Sequence, residues 1–170
     1  FGLLPEDLFR LAVRQNTQRA FLFVSKVLGK HLPVEPAALL AAGKLLALAW
    51  LDQKDEQGWA GILKGGAAPS FSKIWDHLEH SRYSLGVEDR TLFLGFAETA
   101  TGLARAVADC FDGEMAYLST TRVDRAGASP LTFDEAHSHA RTHRLYLDPH
   151  DPFMAACQQV GLVDDELTTG

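Results

Sequence analysis

The chain has 170 residues, 46% of them hydrophobic and 22% charged, with a formal net charge of −6. That length suffices for one domain with a buried core, and the composition excludes a disordered chain. The acid excess argues against a surface that coats nucleic acid, and two cysteines, Cys110 and Cys157, in apolar surroundings argue for reduced thiols over a disulfide framework.

Leu4-Pro5-Glu6-Asp7 predicts a helix start, with Pro in the first turn and acids at the positive end of the dipole. Leu8, Leu11, Ala12 and Val13 carry one apolar face to about residue 14. Residues 20–24 predict a strand and residues 31–34 a second extended piece. Glu35-Pro36 starts a long apolar helix to about Trp50, which must be largely buried. Broken by Gly43 and Lys44, that stretch is too short to span a membrane. Residues 54–66 are turn-rich, and residues 70–80 predict an amphipathic helix with Phe71, Ile74, Trp75 and Leu78 on one side.

Strands and helices then alternate. Residues 91–97 form a continuous apolar run suited to a buried parallel strand, and a turn at 98–102 leads into a helix over 103–111. Residues 115–120 predict the next strand, and 121–142 a long polar stretch containing Gly127 and Pro130. A brief pairing at 145–147, a helix at 152–157 and a final strand at 159–163 complete the chain. The pattern predicts an α/β fold with an open, mainly parallel sheet flanked by helices and a site at the strands' carboxyl ends. We expect residues 1–80 to supply an N-terminal helix, a strand-pair hood and further helices packed on a core formed by 81–170, as a single domain overall. With no initiator Met, no signal peptide and an end inside a loop, the expectation is a fragment of a cytoplasmic protein that does not enter membranes.

The last ten residues are the most informative. The apolar run 160–163 delivers two adjacent carboxylates, Asp164 and Asp165, and a Thr168-Thr169-Gly170 tip follows. Carboxylates accept hydrogen bonds from a pair of hydroxyls, and a Thr-Thr-Gly segment offers amides and hydroxyls to an anion. A ribose 5-phosphate has both features. An acidic helix N-cap followed by an ordinary turn is the plainer alternative.

Leu162-Val-Asp-Asp-Glu-Leu-Thr-Thr-Gly170 resembles the phosphoribosyl-pyrophosphate (PRPP) signature of type I phosphoribosyltransferases. The resemblance implies that Asp164 and Asp165 face the ribose hydroxyls as catalytic residues. Glu166, Leu167, Thr168, Thr169 and Gly170 would cradle the 5-phosphate. It further implies Mg²⁺ carried by PRPP near Asp164 and Asp165, with no protein-bound metal, and allows a homodimer.

Gly95-Phe-Ala-Glu-Thr-Ala-Thr-Gly-Leu-Ala104 repeats the theme: a buried strand, a small-residue turn with hydroxyls, and a helix start where an anion is stabilised. A capped strand-to-helix turn of ordinary structural purpose has the same pattern. The segment is similar to the family's pyrophosphate loop, which would assign pyrophosphate to Glu98, Thr99, Ala100, Thr101 and Gly102. The polar stretch that follows is long enough for a functional lid. The family has a flexible loop in this slot that closes over PRPP and excludes water. Arg122, Glu135, His137, His139 and Arg141 would belong to it, the Arg and His side chains pairing with pyrophosphate oxygens. A solvated segment with pH-sensitive histidines is the plainer alternative, and a metal site of His137, His139 and His143 with Glu135 or Asp148 is a third.

Residues 19–34 resemble the N-terminal strand region of orotate phosphoribosyltransferases, which makes Ser25, Lys26, Lys30 and His31 candidates for base or pyrophosphate contacts; a hairpin with solvated lysines is the alternative. The same stretch, with GFAETATGL and HSHA, is similar to phosphoribosyltransferase-like proteins of tellurite-resistance gene clusters. The expected activity is transfer of ribose 5-phosphate between PRPP and a nitrogenous base, or its reverse from a nucleotide and pyrophosphate. A non-catalytic PRPP- or nucleotide-binding regulator and a histidine-dominated metal protein are the alternatives.

Overall fold

The computed structural model describes residues 1–13, 15, 20–66, 69–134, 142–148 and 150–165. It divides the chain into two compact units, Phe1–Ser81 and Arg82–Gly170. The architecture is mixed α/β, with parallel strands flanked by helices and an N-terminal strand pair. Among the described residues no helix is long and apolar enough to cross a membrane.

The first unit opens with α1 (Pro5–Leu8), where Pro5 occupies the first turn and the Asp7 carboxylate accepts the Leu4 N–H at 2.8 Å. The predicted helix stops there. Phe9–Val13 is strand β1, paired antiparallel with β2 (Phe21–Ser25) in the register Phe9↔Ser25, Leu11↔Phe23, Val13↔Phe21. Residues 8, 11 and 12 fit a helical face, but Phe9, Leu11 and Val13 also alternate. Cross-strand aromatic packing favours the strand: the Phe9 ring on β1 meets Phe23 on β2 edge-to-face at 4.8 Å, and Phe23 is itself packed edge-on by its β2 neighbour Phe21 at 5.5 Å. The partner of β2 is therefore β1, and the predicted extended piece at 31–34 joins no strand.

Helix α2 (Pro36–Trp50) buries Leu40, Ala41, Leu45 and Leu48. Inside the turn-rich stretch lies a short helix, α3 (Trp59–Leu63), which the sequence pattern did not suggest. Asp55 creates it, its two carboxylate oxygens accepting the N–H groups of Trp59 at 2.9 Å and Ala60 at 2.8 Å. Helix α4 (Phe71–His80) buries Ile74 and Leu78 while Phe71 and Trp75 stay exposed. Lys44, on α2, is fully buried; its ammonium donates to the Ser81 carbonyl at 2.8 Å and hydroxyl at 3.3 Å, at the C-terminal end of α4.

The second unit is built on parallel pairing. Strand β4 (Thr91–Gly95), buried throughout, lies between β6 (Met115–Ser119) and β9 (Gln159–Val163). Strands β3 (Tyr83–Leu85) and β5 (Phe111–Gly113) form a further parallel pair. Glu114 joins the two ladders, its N–H donating to Leu85 O at 3.0 Å and its C=O accepting from Thr91 N–H at 3.1 Å. Gly113, at φ +83°, permits this: a Cβ there would fall 2.4 Å from Leu85 O. Helix α5 (Ala100–Ala108) begins three residues earlier than the sequence suggests and ends earlier, releasing Phe111 to stack on Phe93 at 5.0 Å. α5 packs against β4, β6 and β9. The short helix α6 (Pro152–Ala155), capped by the Asp151 carboxylate on Phe153 N–H at 2.8 Å, precedes β9. Cys110 is buried, with its thiol donating to Ala106 O at 3.2 Å, and Cys157 is half-buried; among the described residues neither forms a disulfide.

The stretch 121–142 is not structureless. It contains β7 (Leu131–Asp134), paired antiparallel with β8 (Thr142–Leu145) in the register Phe133↔His143, and the brief pairing predicted at 145–147 ends at Leu145. Thr121 bridges to Arg144, which fastens the hairpin to the end of β6.

Candidate functional site

The chain leaves β4 through α5 to reach β6 on one side, and β9 returns on the other. At such a reversal of strand order, the carboxyl ends of the strands are where α/β folds bind ligands. Gly95 pairs with both Ser119 and Val163, so the three strands end at one level. Two hydrogen bonds continue past them: Phe96 N–H to Val163 O at 3.2 Å and Thr120 N–H to Gly95 O at 3.0 Å. Parallel pairing therefore brings together the 98–102 turn, the start of the polar stretch and Asp164–Asp165.

In the turn, Ala97 and Ala100 are buried, Thr99 and Thr101 half-buried, and Glu98 and Gly102 exposed. The Ala97–Glu98 peptide is cis. Thr101 Oγ1 donates to Glu98 O at 2.8 Å, while Thr99, the residue before α5, makes no side-chain capping bond. The first-turn N–H groups of α5 lie at the positive end of its dipole and are suited to an anion. On the same helix Arg105 holds Asp109 at 2.9 Å and lies over the Tyr117 ring at 5.7 Å. The hydrogen bond to Asp109, then its charge, pushes the guanidinium pKa upward. Tyr117 Oη donates to Thr101 O at 2.9 Å, tying β6 to the first turn of the helix.

Asp164 and Asp165 are half-buried, with Asp165 N–H donating to Asp164 Oδ1 at 2.8 Å. Two carboxylates on one turn offer hard oxygens to hydroxyls or to a divalent cation. Glu166, Leu167, Thr168, Thr169 and Gly170 lie outside the described residues, as do Glu135, His137, His139 and Arg141. Among the described residues no group of three His, Cys, Asp or Glu side chains is placed to hold a metal ion.

The polar stretch meets the turn through side chains. Thr120 Oγ1 accepts the Ala97 N–H at 2.8 Å, and Arg122 Nη2 donates to Ala97 O at 3.2 Å. Both polar groups of the Ala97 backbone are thus held by residues just past the carboxyl end of β6. His143 Nδ1 lies 2.9 Å from Thr120 Oγ1 and is buried. Its ring stacks on Phe133 at 5.0 Å and meets Phe96 edge-on at 5.7 Å. Arg144 donates to Arg122 O at 3.1 Å. Thr120 and His143 lie 23 residues apart, so no local pattern in the sequence marks their contact.

Ser25, Lys26, Lys30 and His31 belong to the first unit. Ser25 Oγ accepts the N–H groups of Val27 at 3.1 Å and Leu28 at 2.9 Å, making a turn, and the Lys26 ammonium donates to Glu6 O. Lys26, Lys30 and His31 are exposed.

Neither a curated protein nor a solved structure shows a significant match to the chain. The family model described as "Phosphoribosyl transferase" matches residues 8–170, a span that includes β1, the turn after β4, the β7–β8 hairpin and the acidic end of β9. The chain belongs to the phosphoribosyl transferase family.

Proposed function

We propose that the protein transfers a 5-phosphoribosyl group between PRPP and a nitrogenous base. The observation that carries this reading is the register Gly95↔Val163, which brings the N-terminal turn of α5 and the Asp164–Asp165 pair to neighbouring strand ends. One end suits an anion and the other a vicinal diol, and PRPP carries pyrophosphate and a ribose diol on adjoining atoms of one ring. Glu98 to Gly102 would hold the pyrophosphate, Asp164 and Asp165 the ribose hydroxyls, and Glu166 to Gly170 the 5-phosphate. Arg122, Glu135, His137, His139 and Arg141 would close over the ligand, and Ser25, Lys26, Lys30 and His31 would face the base.

In the transfer, the bond from the anomeric carbon to pyrophosphate oxygen breaks and pyrophosphate departs with the electron pair. A base nitrogen forms the new bond, and its proton passes to solvent. Positive charge builds on the ribose ring between these events, and the Asp164 and Asp165 carboxylates lower its energy electrostatically. Mg²⁺, for which those carboxylates are suitable hard donors, would neutralise pyrophosphate charge when bound.

The experiment is pyrophosphate release from PRPP with Mg²⁺ and a panel of purine and pyrimidine bases. Release that depends on one base supports the proposal. PRPP binding without release for any base would replace it with a ligand-sensing regulator.

A further inference from the structure

We propose that Thr120 and His143 are positioning residues that hold the 97–102 turn in its anion-accepting form from the stem of the β7–β8 hairpin. This rests on the reading of that turn as a pyrophosphate site. The turn begins at Ala97, whose N–H reaches Thr120 Oγ1 at 2.8 Å. A threonine hydroxyl has one proton to give and lone pairs to receive. Beyond accepting from Ala97, that hydroxyl pairs with His143 Nδ1 at 2.9 Å, as donor or acceptor according to the ring's tautomer. All three residues are buried, Thr120 at 2% and His143 at 3% exposure, so water does not compete on equal terms.

His143 is in turn fixed as a ring. It lies nearly parallel to Phe133, its register partner across the hairpin, at an interplanar angle of 5°. Phe96, the residue before Ala97, closes the other contact at 61°. The hairpin's two strands and the turn after β4 therefore share one small aromatic and hydrogen-bonded cluster. A hairpin that shifts relative to β6 moves His143, and with it the oxygen that orients the Ala97 amide.

Two substitutions separate the hydrogen bond from the packing. Thr120→Val keeps the side-chain shape without the hydroxyl, and His143→Phe keeps an aromatic ring without Nδ1; Thr120→Ser restores the hydroxyl. Amide hydrogen exchange of the peptide covering 96–102 tests the positioning without any ligand. We expect about ten-fold faster exchange in Thr120→Val and His143→Phe, the worth of one buried hydrogen bond, and wild-type exchange in Thr120→Ser. Unchanged exchange in His143→Phe overturns the assignment, even if Thr120→Val fails to fold.

Pyrophosphate with Mg²⁺ and ribose 5-phosphate, titrated separately by calorimetry, then test the consequence. The two variants should weaken pyrophosphate about ten-fold, leave ribose 5-phosphate unchanged, and be rescued by Thr120→Ser. Equal loss of both ligands would mean general damage and contradict positioning. A wild-type protein that binds neither ligand would sink the phosphoribosyl reading alone, while the exchange result still decides whether His143 governs the turn.

Discussion

Gly95 and Ala104 sit so close that a Cβ added to Gly95 would lie 2.6 Å from the Ala104 Cβ. The same atom would approach Ala100 O at 3.2 Å, so strand β4 and the first turn of α5 touch through the missing side chain. This contact brings the helix N-terminus down onto the strand end.

Gly95→Ala should therefore destabilise the fold by about 1–3 kcal/mol, the usual cost of overpacking a tight interior. Ala104 is fully buried, so it has little room to yield. Urea unfolding checks the value. A wild-type midpoint would show that α5 is not held against β4 by this contact.

Lys44 supplies a second test. Its fully buried stem and its bonds to Ser81 join α2 to the end of α4. Lys44→Ala should cost about 2–5 kcal/mol through lost packing, as truncations of long buried side chains do. Lys44→Met, which fills similar space, should cost less, about 1–3 kcal/mol for the lost hydrogen bonds. Thermal unfolding ranks the three proteins, and a Met variant worse than Ala would contradict the assignment.

The exposed His80 at the end of α4 gives a pH prediction. Its Nδ1 bonds the Asp76 carbonyl at 2.7 Å, and the Asp76 carboxylate lies 3.5 Å away. The hydrogen bond first, then the charge, raises its pKa above the ordinary value. A raised folded pKa means the stabilisation is complete below about pH 6.5 and disappears as pH climbs through the folded value. NMR titration should show the His80 midpoint falling part of the way in Asp76→Asn, since the backbone bond survives. An unmoved midpoint would remove the charge from the account.

Elements with a local signature were legible in the chain. Helix α4 shows its stripe of Ile74 and Leu78, and β4 its unbroken apolar run between turns. Strand β1 was misjudged because Leu8, Leu11 and Ala12 satisfy a helical period, while the deciding contacts come from Phe21 and Phe23 across the sheet. The β7–β8 hairpin has a weak local signature because each strand is only four residues long: Leu131-Thr-Phe-Asp134 alternates but stays exposed, and β8 buries His143 and Leu145 within a largely polar sequence. Asp164–Asp165 and the 98–102 turn were visible as motifs. What no motif carried was their common origin at the ends of neighbouring strands, and the hold of Thr120 and Arg122 on Ala97.

The central claim is that the acidic end of β9 binds the ribose of PRPP. Calorimetric titration of PRPP with Mg²⁺ into the wild-type protein and into Asp164→Asn/Asp165→Asn tests it most directly. The account predicts binding by the wild type and a loss of at least about 100-fold in the double variant, since two charge-assisted hydrogen bonds are worth about 3 kcal/mol or more. Equal affinity in both proteins, with both folded, would contradict it.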